Sequence, residues 1–242
     1  MIGASIHRFD VLDSTQSLLA RWAREGVAGG TVIVAEHQTE GRGRRGGAWW
    51  DAPGESLLMS VLLRPAVAAA RVAELSLVAA VAVSDALASA AEVTARIRWP
   101  NDVLVDGRKI CGILPDAVCG ADGRVEHVVL GIGINLTQRA FPPELAGRAA
   151  SLLLVTGRTP DRARVEAAVL AALDARYTEW LSGGFAALRE AWRARSSTLG
   201  ARVALPDGGS GVAVDIDGEG ALLVDAGQGL TRVVAGLVTA LR

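Results

Sequence analysis

Hydrophobic positions along the chain recur with two different periods, and glycine and proline mark where one gives way to the other. Residues 13–26 read as an amphipathic helix: Leu18, Leu19 and Trp22 share a face, Asp13, Ser14 or Thr15 can cap the start, and Gly26 can end it. Residues 31–36 form a short β-branched run of strand type, whereas residues 56–63 are apolar enough for a buried strand. Residues 71–91 are apolar on nearly every side, which predicts a long helix lying against a sheet. Residues 97–99 run extended into Pro100, and residues 103–105, the Asp106-Gly107 turn and residues 109–114 make a hairpin with a two-residue loop. A second turn at residues 120–123 precedes a strand over residues 125–136, and two helices follow over 161–181 and 185–195. The pattern predicts an α+β protein, a mixed β-sheet core flanked by helices. Near residues 196–200 the composition shifts to short Val/Leu/Ile runs broken by Pro206-Asp207-Gly208-Gly209, Asp217-Gly218-Glu219-Gly220 and Gly227-Gln228-Gly229. About 43 residues of such strands suit a small SH3-like β-barrel, dividing the chain into a domain over 1–198 and a second over 199–242.

Composition narrows the classes. The chain has 242 residues, half of them hydrophobic, with a formal net charge of −1, so no strong general attraction to nucleic acid or anionic membrane is expected. No uncharged apolar run reaches the length of a membrane span, and the first ten residues lack a signal-peptide layout, so a cytoplasmic protein without a membrane partner is expected. Two cysteines, Cys111 and Cys119, make neither a disulfide framework nor a zinc site. The 25 basic residues include a single lysine, Lys109. GC-rich coding accounts for the imbalance, yet a compact ammonium does what a planar guanidinium cannot where one donor must reach two oxygen groups.

Four segments are candidates for chemistry. In Gly41-Arg42-Gly43-Arg44-Arg45-Gly46-Gly47-Ala48-Trp49, alternate glycines free backbone amides and the arginines supply cationic forks, suiting phosphate or carboxylate oxygens. The segment lacks the spacing of a P-loop or a dinucleotide fingerprint, and a solvated mobile loop or an RGG-like nucleic-acid contact fits it as well. Arg98-Trp99-Pro100-Asn101-Asp102 presents an amide beside a carboxylate, able to read a base or ribose edge or to hold a metal through water; an ordinary Asn-Asp turn is the alternative. Lys109 precedes Cys111 and Gly112 on a strand, where Gly112 suggests close approach of a ligand or of another chain segment, or Lys109 merely protects a sheet edge. Gly131-Ile132-Gly133-Ile134-Asn135 ends a strand in glycines and an amide, or is a sheet-edge turn. His7, His37 and His127 show no metal-ligand spacing and read as surface or satisfied core; Glu74, Asp85 and Glu92 read as solvated helix positions.

In this order, the segments resemble the biotin–protein ligases. The resemblance starts at Asp13-Ser14-Thr15, passes through Glu36-His37-Gln38, the Gly-Arg loop ending at Trp49, Trp99 to Asp102, Lys109 to Leu114 and Gly131 to Asn135, and reaches Asp217 to Asp225 near the C-terminus. It implies a class II aminoacyl-tRNA-synthetase-like catalytic fold and a two-step reaction: ATP and biotin, with Mg²⁺, give biotinyl-5′-adenylate, which acylates a lysine of a biotin carboxyl carrier domain of a carboxylase. It further implies Lys109 and Arg44 as catalytic residues, and Ser14, Thr15, Gln16, Gln38, Gly41, Arg42, Gly43, Arg44, Lys109 and Gly112 around biotin. Arg42, Arg44, Arg45, Trp49, Asn101, Asp102, Lys109 and Asn135 fall on the ATP and adenylate side, with Asp102 near Mg²⁺ through the phosphates. Gln16, Arg98 and Asp116 stand where the family usually has Asn, Lys and Glu, and Gly47 stands where its loop usually carries another arginine. The first family motif begins at Asp13, so a DNA-binding repressor domain and a DNA partner are not expected; a monomer or weak homodimer is. Lipoate–protein ligases share the fold but carry a triple-glycine motif in place of the Gly-Arg loop. A nucleic-acid-binding module is disfavoured by the net charge and by one tyrosine with three phenylalanines.

Overall fold

Seven strands make the main sheet of the computed structural model, which describes residues 1–205, 208–227 and 229–234. They are β1 (Ser5–Leu12), β2 (Thr31–Gln38), β3 (Ser56–Leu63), β4 (Arg96–Arg98), β5 (Asp102–Val105), β6 (Arg108–Cys119) and β7 (Val125–Asn135). Their order is β1-β2-β3-β7-β6-β5-β4; β1 runs parallel to β2 and every other neighbour is antiparallel. Asp106 and Gly107 both take positive φ (50° and 73°), as a two-residue hairpin loop between right-twisted strands requires. β1 was not predicted, because this edge strand is half solvated and mixes Ser, His, Arg and Asp with its apolar residues. β6 continues five residues beyond the predicted end, through Pro115 and Asp116 to Cys119.

One face of the sheet carries α2 (Glu74–Ala91) and α4 (Arg162–Arg195), between which a short α3 (Leu152–Thr156) intervenes in sequence; the other face carries α1 (Thr15–Arg24). By length and composition the segment Ala69–Ala91 would suit a membrane span, but it is a core helix here, wedged between sheet and α4. The two predicted C-terminal helices are one span broken at Gly184, whose φ of 66° and ψ of −171° interrupt the helix. That break overturns the solvated reading of Glu74. Glu74 is 3% exposed, and its carboxylate accepts from Trp180 Nε1 (2.5 Å), from the Phe185 backbone N–H freed beside the break (3.2 Å), and from Arg71 twice (3.1 Å). A buried carboxylate persists because all its partners are supplied. Asp85 is likewise engaged, by Arg176 and Arg195, whereas Glu92 is exposed beside Arg158. His127 is buried on β7 with Nε2 unpartnered, so the satisfied-core reading fails there.

The C-terminal strands β8 (Arg202–Ala204), β9 (Ser210–Ile216), β10 (Leu222–Asp225) and β11 (Leu230–Val233) form a separate antiparallel sheet, in the order β11-β10-β9-β8. This sheet is not closed into a barrel among the described residues; Pro206, Asp207 and Gln228 of the predicted turns, and residues 235–242, lie outside them. It touches the main sheet through Trp99, whose backbone N–H donates to Thr198 Oγ1 (2.9 Å) and whose Nε1 donates to the Gly220 carbonyl (3.1 Å).

Candidate active site

On the α1 side of the sheet, β6 and β7 pair Gly112 with Gly133 and Leu114 with Gly131. Three glycines on two adjacent strands remove side chains from a strip of sheet and leave a floor of backbone. A Cβ on Gly133 would lie 2.7 Å from the Trp49 ring, one on Gly112 would lie 2.8 Å from that ring and 3.0 Å from Lys109 Nζ, and one on Gly131 would lie 2.6 Å from the Gln16 amide carbon. The floor therefore exists so that these three side chains can lie on it.

Above the floor is a cleft of about 830 Å³. Of the predicted residues, Thr15, Gln16, Gln38, Arg42, Gly43, Arg44, Arg45, Trp49, Asn101, Asp102, Lys109 and Gly112 line it. Ser14, Gly41 and Asn135 do not. Ser14 is the residue before α1, 1% exposed, with its Oγ unpartnered. Gly41 lies on a smaller adjoining hollow of about 380 Å³. Asn135 is buried, and its Nδ2 donates to the Ala150 carbonyl (3.0 Å) and, longer, to that of Lys109 (3.5 Å). Sequence reasoning missed the segment Leu145, Gly147, Arg148 and Ala149, which also lines the cleft. The Lys109 N–H donates to the Arg148 carbonyl (2.8 Å) and the Ala150 N–H to the Lys109 carbonyl (3.0 Å), so this segment is pinned to β6 at the lysine itself. Its one sequence signal is Gly147-Arg148, the same glycine–arginine pairing as in the loop after β2.

That loop is folded back on itself. The Gly43 N–H donates to the Gly47 carbonyl (2.6 Å), the Trp49 N–H donates to the Gly41 carbonyl (2.9 Å), and Arg45 takes a left-handed φ of 56°. Arg42 reaches across to Asp116 on β6 (2.9 Å), and Arg44 donates to Asn101 Oδ1 (3.1 Å), whose own Nδ2 donates to the Ile113 carbonyl (2.9 Å). Burial, then the like charge of Arg45, lower the Arg44 pKa against the pull of Asp102.

Arg98, Asp102 and Lys109 come from β4, β5 and β6. Lys109 Nζ is 2.7 Å from Asp102 Oδ1, and Arg98 is 2.7 Å from Oδ2. Burial would raise the Asp102 pKa, but the charges and hydrogen bonds of Lys109 and then Arg98 outweigh it and hold the carboxyl below the usual carboxylate range. Two cations share one anion, so the trio keeps a net positive charge in the cleft. Lys109 Nζ also lies 5.5 Å from the Trp49 ring centroid. Cys111, two residues on, is fully buried, and burial raises its thiol pKa, which removes it as a nucleophile at neutral pH. His37 and Asp51 pair at 2.9 Å beside the smaller hollow.

Both Asp102 oxygens are committed to cations, and no group of three His, Cys, Asp or Glu side chains suited to a metal occurs among the described residues. The residues present do not fit a resident magnesium ion.

Cations gathered over a floor of backbone suit a ligand bearing acidic oxygens. The chain belongs to the biotin/lipoate A/B protein ligase family, whose sequence model matches residues 8–135, and it is a ligase of the biotin–protein type. It is 39% identical over 252 residues to the biotin–[acetyl-CoA-carboxylase] ligase of Mycobacterium tuberculosis, covering 99% of this chain and 91% of that protein. It is 35% identical over 238 residues to the bifunctional ligase/repressor BirA of Bacillus subtilis, covering 96% of this chain and 73% of the relative. The structure of the Aquifex aeolicus biotin protein ligase in complex with biotin and ATP superposes with a TM-score of 0.86 at 29% identity, covering 98% of each chain. The main sheet with its helices and the separate C-terminal sheet are thus the biotin ligase fold.

Proposed function

We propose that the enzyme activates biotin with ATP and transfers it to one lysine of a biotin carboxyl carrier domain of an acyl-CoA or acetyl-CoA carboxylase. A biotin carboxylate oxygen attacks the α-phosphorus of ATP, the bond from that phosphorus to the β-phosphate bridge breaks, and pyrophosphate leaves with the electron pair. The neutral amine of the acceptor lysine then attacks the acyl carbon of biotinyl-5′-adenylate, AMP leaves, and the amine's proton passes to water.

The observation that carries this reading is the Lys109 site. The chain's single lysine lies in the cleft on β6, held by Asp102 and beside the loop that carries Arg42 and Arg44. A unit charge about 4 Å from a phosphate oxygen contributes on the order of 4 kcal/mol at an effective dielectric near 20. Lys109 and Arg44 are therefore the residues we assign to the carboxylate–phosphate junction, where negative charge builds as the phosphorus is attacked. Thr15, Gln16, Gln38, Gly112 and the backbone of Gly43 take the biotin side, with Gly41 on the adjoining hollow; Ser14, whose Oγ is buried off the cleft, we reassign from ligand contact to the start of α1. Arg42, Arg45, Trp49, Asn101 and Asp102 take the nucleotide side, joined by Arg148. Asn135 we reassign from ligand contact to holding the segment that carries Arg148. Magnesium belongs to the nucleotide substrate, as the counter-ion of its phosphates. The C-terminal sheet is proposed as most of an SH3-like barrel, a second domain beginning near residue 199.

The test is incubation with biotin, Mg·ATP and a carrier domain bearing its acceptor lysine. Biotin on the carrier, with AMP and pyrophosphate released, is expected. A folded enzyme that leaves the carrier unmodified would refute the assignment.

A further inference from the structure

An enzyme that activates an acyl group and hands it to a lysine must keep that group off its own lysines. Lys109 is the only lysine among the 242 residues, and it lies in the cleft with its side chain 30% exposed. Its amine is of the same chemical kind as that of the acceptor. What distinguishes it is arranged around Nζ. Asp102 Oδ1 lies 2.7 Å away and is its only carboxylate partner among the described residues. A Cβ on Gly112 would meet Nζ at 3.0 Å and Cε at 3.1 Å, so the end of the side chain rests on the backbone of β6. The centroid of the Trp49 ring is 5.5 Å from Nζ. The other charged groups at the pair are Arg98, on the second Asp102 oxygen, and Arg44, while burial keeps the Cys111 thiol neutral. Without Asp102 the amine would face arginines alone.

We propose that Asp102 protects Lys109 from acylation by the enzyme's own activated biotin, and that Lys109 becomes a site of self-modification once this carboxylate is removed. In that reaction the lone pair of a neutral Lys109 Nζ attacks the acyl carbon of biotinyl-5′-adenylate. The bond from that carbon to the phosphate oxygen breaks, AMP leaves with the electron pair, and the proton of the amine passes to water. The product is an uncharged biotinyl amide, and the cleft has lost the cation placed at the carboxylate–phosphate junction. An ammonium has no lone pair with which to attack, and a carboxylate at 2.7 Å favours the ammonium. Neighbouring cations act in the opposite sense, since a lysine beside other positive charges spends more of its time as the neutral nucleophile. Asp102 therefore decides which of two amines takes the acyl group, and it does so through Lys109, as a positioning residue.

This inference rests on the biotin reading for its acyl donor, and the experiment separates the two. In the first arm the protein meets a limiting amount of acetic anhydride at neutral pH, and acetylation of Lys109 is followed by mass spectrometry, which a single lysine makes unambiguous. Asp102→Asn keeps the shape and removes the charge, and should react about 10-fold faster than wild type or more, the usual effect of one adjacent charge on the neutral fraction. Asp116→Asn frees Arg42 and loosens the loop without touching Asp102 or Lys109; as the loss of an exposed ion pair, it should stay within about threefold of wild type. Should Asp102→Asn fail to fold, Asp102→Ser, smaller and also uncharged, is expected to show the same rise. In the second arm the donor is presynthesised biotinyl-5′-adenylate, without ATP. Asp102→Asn is expected to gain biotin on Lys109, whereas wild type passes biotin to a carrier domain and keeps Lys109 unmodified. Equal acetylation of wild type and Asp102→Asn, or Asp116→Asn as reactive as Asp102→Asn, overturns the protection. Faster acetylation of Asp102→Asn without biotin on its Lys109, beside a wild type that labels the carrier, overturns the self-modification. A wild type that passes no biotin from the adenylate to the carrier overturns the biotin reading itself.

Discussion

Replacing Gly133 by alanine tests whether the glycine floor is what the enzyme needs. The new methyl would lie 2.7, 2.9 and 3.2 Å from three atoms of the Trp49 indole, where carbon–carbon contact is normally about 3.5–4.0 Å. The ring must therefore rise by about 1 Å. It sits on a loop side chain over the sheet surface, so the backbone of β7 is not asked to move, and overpacking of this kind costs about 1–2 kcal/mol. For a chain of this size that corresponds to a fall in Tm of roughly 2–8 °C. The functional cost is larger. Trp49 and Lys109 share the floor, and displacement of a positioning group by about 1 Å lowers rate by up to about 100-fold. Biotin-dependent exchange of pyrophosphate into ATP should fall about 10- to 100-fold, with Tm read in parallel by calorimetry. Wild-type exchange at an unchanged Tm would show that the ring does not rest on Gly133. A loss of Tm well beyond 8 °C would show that the strip is part of the core and not a ligand floor.

Further outcomes follow from the same geometry. Lys109→Ala should lower pyrophosphate exchange by at least about 100-fold, the usual consequence of losing a charge-stabilising donor, with the fold retained by circular dichroism; near-normal exchange would remove Lys109 from the reaction centre. Glu74→Ala strips the partners from Trp180 Nε1, the Phe185 N–H and Arg71, and should destabilise the protein by about 3–5 kcal/mol in urea denaturation, against a surface-like change below about 0.5 kcal/mol if the carboxylate is idle. The Asp102 pKa is depressed in the folded state, so its contribution is fully present above the unfolded value near 3.9 and is lost as pH falls through the folded value. The stability difference between wild type and Asp102→Asn should therefore be constant from about pH 8 to 5 and shrink only below about pH 4; shrinkage already at pH 6 would contradict the assigned shift.

What the sequence disclosed and what it withheld divide along contact distance. Elements built by local rules were legible: the positive-φ Asp106-Gly107 loop, the mostly apolar run of β3, and the nearly all-apolar α2 that must be covered on both sides. Glu74 was misread because two of its three partners, Trp180 and Phe185, lie more than 100 residues away, at a helix break that periodicity alone rendered as a gap between two helices. β1 was invisible for a different reason: an edge strand with one wet side needs little hydrophobic patterning. In the site, residue types marked the cationic loop and the lysine, but not what they lie on. That Gly112, Gly131 and Gly133 form one floor follows from the β6–β7 register, and the register is not written in either strand separately. Arg148 was missed because its place in the cleft is set by main-chain bonds to Lys109, of which the single Gly147-Arg148 pair is the one trace in residue type.

The register also explains why the candidate active site sits where a sheet would ordinarily be weakest. Arg98, Asp102 and Lys109 occupy β4, β5 and β6, and β4 is a three-residue strand at the sheet's edge. An edge that short frays unless it is covered. Here the chain leaving α4 covers it: the Ser197 N–H donates to the Ile97 carbonyl (2.8 Å), Arg96 donates to the Ser196 carbonyl (2.7 Å), and Thr198 accepts from the Trp99 N–H. The turn at Gly220 of the C-terminal sheet then accepts from Trp99 Nε1. Trp99 lies between Arg98 and the Asn101-Asp102 pair, so every bond that fixes it also fixes the carboxylate that orients Lys109. The small C-terminal sheet and the segment leading to it are therefore part of the support of Asp102 and Lys109, although among the described residues they contribute no side chain to the lining of the cleft.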